Sequence, residues 1–198
     1  NIKLFKWIFS ENGLVAFENN KQFHCENIVK KLGDESFTQL INICLLELSK
    51  IDNPVKRGTF IEYRNGMINI SPIGRSCSQK ERDNFYEQDK KYNYRENLIK
   101  QIKKKWELYL YECEDCKTEL SFSIGGQISI DIFPKGWDKT YCLQFVKEKY
   151  DKIYFFGDKT YEGGNDYEIF NSKLTEAYTV KNPEDTINFL NNIFLNKK

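Results

Sequence analysis

The chain has 198 residues, of which 40% are hydrophobic, 15% aromatic and 30% charged; this excludes a disordered chain and provides core material for one large domain or two small ones. Thirty Lys and Arg against 29 Asp and Glu leave a formal net charge of +1, so no global field recruits nucleic acid or a membrane surface, and anion binding must be local. The apolar runs fall far short of the ~18 residues of a bilayer span, the start does not resemble a signal peptide, and the six cysteines are expected to be reduced thiols, all of which points to a cytoplasmic protein.

Residues 3–9 are rich in apolar and aromatic side chains and are broken by Glu11-Asn12-Gly13, which predicts a short strand entering a turn. Segments 14–17 and 22–24, separated by Asn19-Asn20, have the form of a hairpin. After Asp34 the residues Phe37, Leu40, Ile41, Cys44, Leu45 and Leu48 recur at helical spacing, giving an amphipathic helix whose apolar face needs a sheet to cover. Strands at 59–63 and 67–70 flank Asn65-Gly66, the strongest short hairpin signal in the chain. Ser78-Gln79-Lys80-Glu81 is a capping box, predicted to open one long charged helix to about Trp106. Its lysine run, 103–105, reads as a solvated face. Strands at 119–123 and 127–133 surround Gly125-Gly126, and the hairpins of this middle region imply an antiparallel sheet. Cys113 and Cys116 form a C-x-x-C, but a structural zinc site wants a second ligand pair and the only histidine, His24, is far away in sequence.

After Pro134 the grammar changes. Asp138 is expected to cap a helix to about Tyr150, residues 153–156 suit a buried parallel strand, and Asn182-Pro183 opens a terminal helix with proline at its first position. This alternation is doubly wound α/β, so the chain divides into core pieces at 1–24 and 137–198 around an inserted segment at 25–136. Ligands of open α/β sheets collect beyond the carboxyl ends of the strands, which is where Asp158 falls, with Asp166 in the same loop. Hard oxygen ligands there suit Mg²⁺. By residue chemistry alone the loop reads equally as a polar surface turn.

Several runs resemble the eukaryotic phosphomannomutases of the haloacid dehalogenase superfamily: Ile124-Gly125-Gly126-Gln127-Ile128-Ser129, Phe133-Pro134-Lys135-Gly136-Trp137-Asp138-Lys139 and Phe156-Gly157-Asp158-Lys159-Thr160. Arg57-Gly58-Thr59-Phe60, Arg64-Asn65-Gly66-Met67, Ser71-Pro72-Ile73-Gly74-Arg75 and Cys77-Ser78-Gln79-Lys80-Glu81-Arg82 extend the likeness, which runs from Ser10 to the terminal helix. The resemblance implies a partial Rossmann-like core carrying an α/β cap with an antiparallel sheet. It also implies interconversion of mannose 6-phosphate and mannose 1-phosphate through a phospho-aspartate, Mg²⁺ and a hexose 1,6-bisphosphate activator, for GDP-mannose synthesis.

Residue by residue, the resemblance makes Asp158 a magnesium ligand and Lys139 the lysine that holds the transferring phosphoryl group. Arg64, Arg75 and Arg82 match arginines that grip phosphate or sugar, which suits the guanidinium fork. Arg82 sits in the first turn after Ser78, where free amides and the helix dipole are expected to add to the anion site. Ser129 and Asp131 match a sugar-contacting pair; two apart on a strand, they share a face. Phe170, Ser172 and Thr175 align with a second cation site, although Ser172 stands where the family has aspartate. Phe60 falls in a segment through which relatives dimerise, which implies a homodimer through the cap. The family's D-x-D-G-T nucleophile motif is not in the sequence, and the chain opens on Asn1, so a preceding segment is expected to carry it. The rival expectations are a sugar-phosphate phosphatase of the same superfamily, and a chain that binds sugar phosphate or dimerises without catalysis.

Overall fold

The structure, a computed structural model, describes residues 4–53, 55–113 and 116–195. Lys3, at the start of the first expected strand, lies outside them. The chain separates into two compact units, Asn1–Trp137 and Asp138–Lys198.

The first unit opens with an antiparallel meander, β1 (Trp7–Ser10), β2 (Val15–Glu18) and β3 (Lys21–Cys25). The β2–β3 turn is the one expected at Asn19-Asn20, with φ of 50° and 64°. Asparagine tolerates this left-handed region, and the mirror-image turn it makes matches the right-handed twist of the strands. A short helix, α1 (Ile28–Leu32), comes next; Asn27 caps it by accepting from the amides of Val29 and Lys30. It was not anticipated. Helix α2 (Asp34–Ser49) forms as expected, but its buried stripe is Ser36, Leu40, Ile43, Cys44, Glu47 and Leu48, so Leu45 faces outward.

The central sheet has the order β4-β5-β7-β6, all antiparallel, built from β4 (Ile61–Tyr63), β5 (Ile68–Ile70), β6 (Leu120–Gly125) and β7 (Ser129–Pro134). Side chains alternate across a pleated strand. Ile68, Ile70, Ile130 and Ile132 are fully buried on one face, and α1, α2 and α4 (Tyr94–Glu112) pack against the sheet. The register places Glu62, Asn69, Asp131 and Ser123 in a single polar row on the other face. In the β4–β5 turn Gly66 does not have a positive φ. A Cβ there would run into the buried Leu14 side chain, so the glycine serves a close approach rather than a left-handed turn.

The single helix expected from Ser78 to Trp106 is two. Helix α3 (Gln79–Tyr92) ends at Asn93, whose backbone is left-handed (φ 54°, ψ 41°), before α4 begins. The Asp89 carboxylate accepts from the Arg95 amide at 2.9 Å and from Arg95 Nε at 2.7 Å. That gives the chain a local alternative to the helical ladder, and Asn93 absorbs the kink.

In the second unit Asp138 caps as expected, accepting from the Thr140 amide at 2.8 Å. The segment it caps, Lys139–Phe145, is a 3₁₀ helix instead of an α-helix to Tyr150. Strands β8 (Tyr154–Gly157) and β9 (Glu176–Thr179) pair in parallel. The loop between them contains the single turn α5 (Tyr167–Phe170), and α6 (Pro183–Leu190) is capped by Asn182. Tyr178 stacks on Phe156 and lies 4.8 Å from Phe189, centroid to centroid, which fixes α6 against the small sheet. Of the β8 residues only Gly157 is buried, so the expected buried strand is half-exposed within this chain.

Candidate active site

The two groups of site residues lie on different units. On the first, Arg64 follows β4, Arg75 lies between β5 and α3, and Arg82 is in the first turn of α3. Glu62 joins the first two, accepting from Arg64 Nε at 2.8 Å and pairing with Arg75 Nε at 2.5 Å. Arg75 Nη1 donates to Asn69 Oδ1 at 2.5 Å, and Asn69 Nδ2 donates to Asp131 Oδ1 at 2.6 Å. Arg82 Nη2 donates to the Arg75 carbonyl at 2.6 Å. The three arginines and Asp131 therefore form one connected array, and Ser129, two residues before Asp131 on β7, shares its face. The hydrogen bond from Arg64, with the charges of Arg64 and Arg75, holds the Glu62 carboxyl below the usual carboxylate range against the opposing effect of burial.

The start of α3 differs from expectation in one respect. The Ser78 hydroxyl takes the Glu81 amide, and the Glu81 carboxylate takes the Ser78 amide at 2.8 Å. Those two amides are thus not free for an anion, and Arg82 is the contribution of α3. Arg95, which sequence reasoning missed, is buried against Asp89 and donates through Nη1 to the carbonyls of Gly125, Gly126 and Ser129. It fixes the turn that leads into β7. Glu62 and Asn69 were missed as well; a strand register would have found them, since they share the row of Asp131.

On the second unit the organising group is Asp166, whose side chain is 3% exposed. Its Oδ1 accepts from the Lys139 ammonium, and its Oδ2 accepts from the amides of Asp158 and Lys159, each at 3.0 Å. Burial alone would raise this carboxyl, but the ammonium and the two amides outweigh it and hold it below its ordinary value. Asp166 thereby shapes the turn after β8. Asp158 itself is exposed at the carboxyl end of β8, and its side chain accepts no hydrogen bond among the described residues. Lys139, Asp158 and Asp166 line a cleft of ≈ 620 Å³ together with Phe155, Asn182 and Thr186.

Among the described residues, no group of three or more His, Cys, Asp or Glu converges as a metal cage. A lone exposed carboxylate such as Asp158 is compatible with Mg²⁺, which is commonly held by one or two carboxylates with water and substrate phosphate completing the octahedron. Phe170 ends α5 and Ser172 and Thr175 follow it, with the Thr175 hydroxyl donating to the Ile169 carbonyl at 2.6 Å and the Ser172 hydroxyl accepting from the Leu174 amide at 3.2 Å. That loop presents carbonyl and hydroxyl oxygens and no carboxylate from these three positions. Phe60 is half-buried. None of the six cysteines is in a disulfide, and burial pushes Cys44 up to about 12.

A carboxylate beyond a parallel strand, a lysine-gripped acid in the same loop and an antiparallel α/β unit define a haloacid dehalogenase-like fold. In agreement, an N-terminally truncated IMP-nucleotidase of Plasmodium falciparum superposes with a TM-score of 0.56 at 16% identity, over 96% of this chain and 50% of that one. A sequence model described as eukaryotic phosphomannomutase matches residues 1–196. Phosphomannomutases of Galdieria sulphuraria, Spinacia oleracea and Arabidopsis thaliana are 49%, 48% and 50% identical over 96%, 98% and 92% of this chain, and 72%, 74% and 70% of their own lengths. The chain belongs to the eukaryotic phosphomannomutase family. The activity of that family is an isomerisation, the exchange of mannose 6-phosphate and mannose 1-phosphate by phosphoryl transfer.

Proposed function

We propose that residues 25–136 act as the sugar-phosphate cap and residues 1–24 and 137–198 as parts of the phosphoryl-transfer core. In this reading Arg64, Arg75 and Arg82 hold the phosphate that is not reacting, Ser129 and Asp131 orient the sugar hydroxyls, and Lys139 steadies the transferring phosphoryl group. Guanidinium forks bind phosphate oxygens bidentately, and an anchored ammonium stabilises charge on the equatorial oxygens of a loose transition state. Bound at Asp158, Mg²⁺ supplies charge neutralisation for the same oxygens. A hexose 1,6-bisphosphate that turns over between the two sites exchanges its ends, which a mutase requires and a phosphatase does not. A homodimer through the segment containing Phe60, a cytoplasmic location and a place upstream of GDP-mannose synthesis complete the proposal. No helix among the described residues is long and apolar enough to cross a membrane.

The observation that supports this reading most directly is the array joining the three arginines to Asp131. The sequence contains no D-x-D-G-T, so binding is the direct assay of this chain. Calorimetric titration with mannose 6-phosphate is expected to show Arg82→Ala weakened by a charge-assisted contact, about 1.5–3 kcal/mol or roughly 10- to 150-fold in Kd. Asp158→Asn is expected to keep the metal-free affinity and lose any enhancement by Mg²⁺. Unchanged affinity in Arg82→Ala would remove that arginine from the phosphate site.

A further inference from the structure

Two guanidinium groups side by side repel each other, and Arg64 and Arg75 are kept together by one carboxylate. Glu62 takes each of them through its inner nitrogen, Arg64 Nε at 2.8 Å on Oε1 and Arg75 Nε at 2.5 Å on Oε2. Both terminal amines of Arg64 and the Nη2 of Arg75 are left without a protein partner among the described residues. Those are the donors that a phosphate would take end-on.

Asn69 continues the arrangement from the next strand. It is 3% exposed, accepts from Arg75 Nη1 at 2.5 Å and donates to Asp131 Oδ1 at 2.6 Å. Arginine can only donate and an ionised carboxylate can only accept, so the Asn69 amide has one orientation that satisfies both neighbours. Because Glu62, Asn69 and Asp131 are direct partners in the strand register, the row is set by the backbone and not by side-chain rotamers alone.

We infer that Glu62 is a positioning residue which, with Asn69, holds Arg64 and Arg75 as a phosphate clamp assembled before substrate arrives and couples that clamp to Asp131. The inference rests on the reading of Arg64 and Arg75 as phosphate ligands. Arginine side chains are long and rotamer-rich, and ordering them at the moment of binding weakens affinity. A carboxylate that orders them in advance transfers this cost to folding. Charge alone would give the opposite result, since a negative group beside an anion site repels phosphate. The sign of the effect therefore separates positioning from simple electrostatics.

The test is calorimetric titration of mannose 6-phosphate, with inorganic phosphate as a second probe, into the unaltered chain, Glu62→Gln, Glu62→Ala and Arg75→Ala. Melting temperatures are recorded for all four; the Glu62 side chain is 34% exposed, so its variants are expected to stay folded. Glu62→Ala is expected to bind mannose 6-phosphate about tenfold more weakly, because the ordering of two arginines now falls on binding. Glu62→Gln, which can still accept from one guanidinium, recovers part of that loss at an unchanged melting temperature. Equal or tighter binding by Glu62→Ala, with Arg75→Ala weakened, overturns the positioning role and leaves the arginine site intact. Affinity lost only where the melting temperature falls into the assay range also overturns it. Unchanged binding in Arg75→Ala sinks the arginine site and this inference together.

Discussion

The two units organise their charged groups in opposite ways. In the first, Arg64 and Arg75 are paired with Glu62 at a surface where all three side chains are about one-third exposed, and their positions come from the register of β4, β5 and β7. In the second, one carboxylate with a 3% exposed side chain collects an ammonium and two amides, and the loop takes its shape from that carboxylate. Surface pairs contribute little to stability, while a buried acid that loses its partners is costly. In stability, the first site should therefore be little affected by a change of charge and strongly affected by a change of backbone, while the second should be strongly affected by a change of charge at Asp166.

The largest effect is expected where the backbone of the first unit is tightest. Gly74 has φ of 83°, and a Cβ on it would overlap the backbone of Gly58. The same two segments are joined by the Arg75 amide on the Thr59 carbonyl at 3.0 Å and the Arg57 amide on the Ile73 carbonyl at 2.9 Å. Gly74→Ala must separate them, and neither is a flexible side-chain tip. We expect a loss of about 3 kcal/mol or more in urea denaturation, with phosphate affinity falling as Arg75 leaves Glu62. A change below about 1 kcal/mol would mean that this backbone contact does not hold the site.

In the second unit a change of charge should serve the same purpose. Asp166→Asn keeps the shape but removes the ion pair with Lys139 and weakens acceptance from the Asp158 and Lys159 amides. Losing a buried partner costs about 3–5 kcal/mol. Lys139 is 35% exposed and can be rehydrated, so about 2–3 kcal/mol is expected here. The direction of the shift sets the pH dependence. Burial raises the Asp166 carboxyl, but Lys139 and the amides lower it by more, so its folded value lies below its unfolded one. Its stabilisation is therefore complete above the ordinary aspartate value of about 3.9 and fades as pH falls from there toward the lower folded value. Urea midpoints measured from pH 6 to acid should lose part of their acid slope in Asp166→Asn; an unaltered slope would deny Asp166 the role of hub.

Features that a few neighbouring residues determine were legible in the sequence. Asn19-Asn20 supplied its turn, Ser78 and Glu81 their capping box, and Asn182 its cap, because each uses partners within about four residues. The break at Asn93 was not legible, since neither glycine nor proline marks it and the interrupting Asp89–Arg95 pair is a tertiary arrangement buried against the Gly125-Gly126 turn. Leu45 was assigned to the buried stripe of α2 because spacing fixes a periodicity but not which side of a broad apolar helix the sheet covers. At the sites, Arg64, Arg75, Arg82, Ser129, Asp131, Lys139 and Asp158 were named by resemblance, whereas Glu62 and Asn69 depend on register. Asp166 was placed in the right loop without its central role, because a buried acid and an exposed one look alike in sequence.

The smallest expected effect probes the helix that carries Arg82. The Ser78 hydroxyl accepts from the Glu81 amide at 3.4 Å, a long bond, while the Glu81 carboxylate holds the Ser78 amide at 2.8 Å and pairs with Arg57. Ser78→Ala removes the first of these and the donation of the Ser78 hydroxyl to Glu81 Oε2 at 3.0 Å, and leaves the other two. An N-cap serine replaced by alanine costs about 1 kcal/mol, and the surviving half of the box should keep the loss at or below that. Arg82 is tied to the Ser78 and Arg75 carbonyls through its amide and its Nη2, which do not use the serine hydroxyl. Mannose 6-phosphate affinity should accordingly change far less in Ser78→Ala than in Arg82→Ala. If the two variants instead lost affinity equally, the first turn of α3 rather than the row on the sheet would be what places the arginines, and the contrast between a register-built site and a carboxylate-built one would fail.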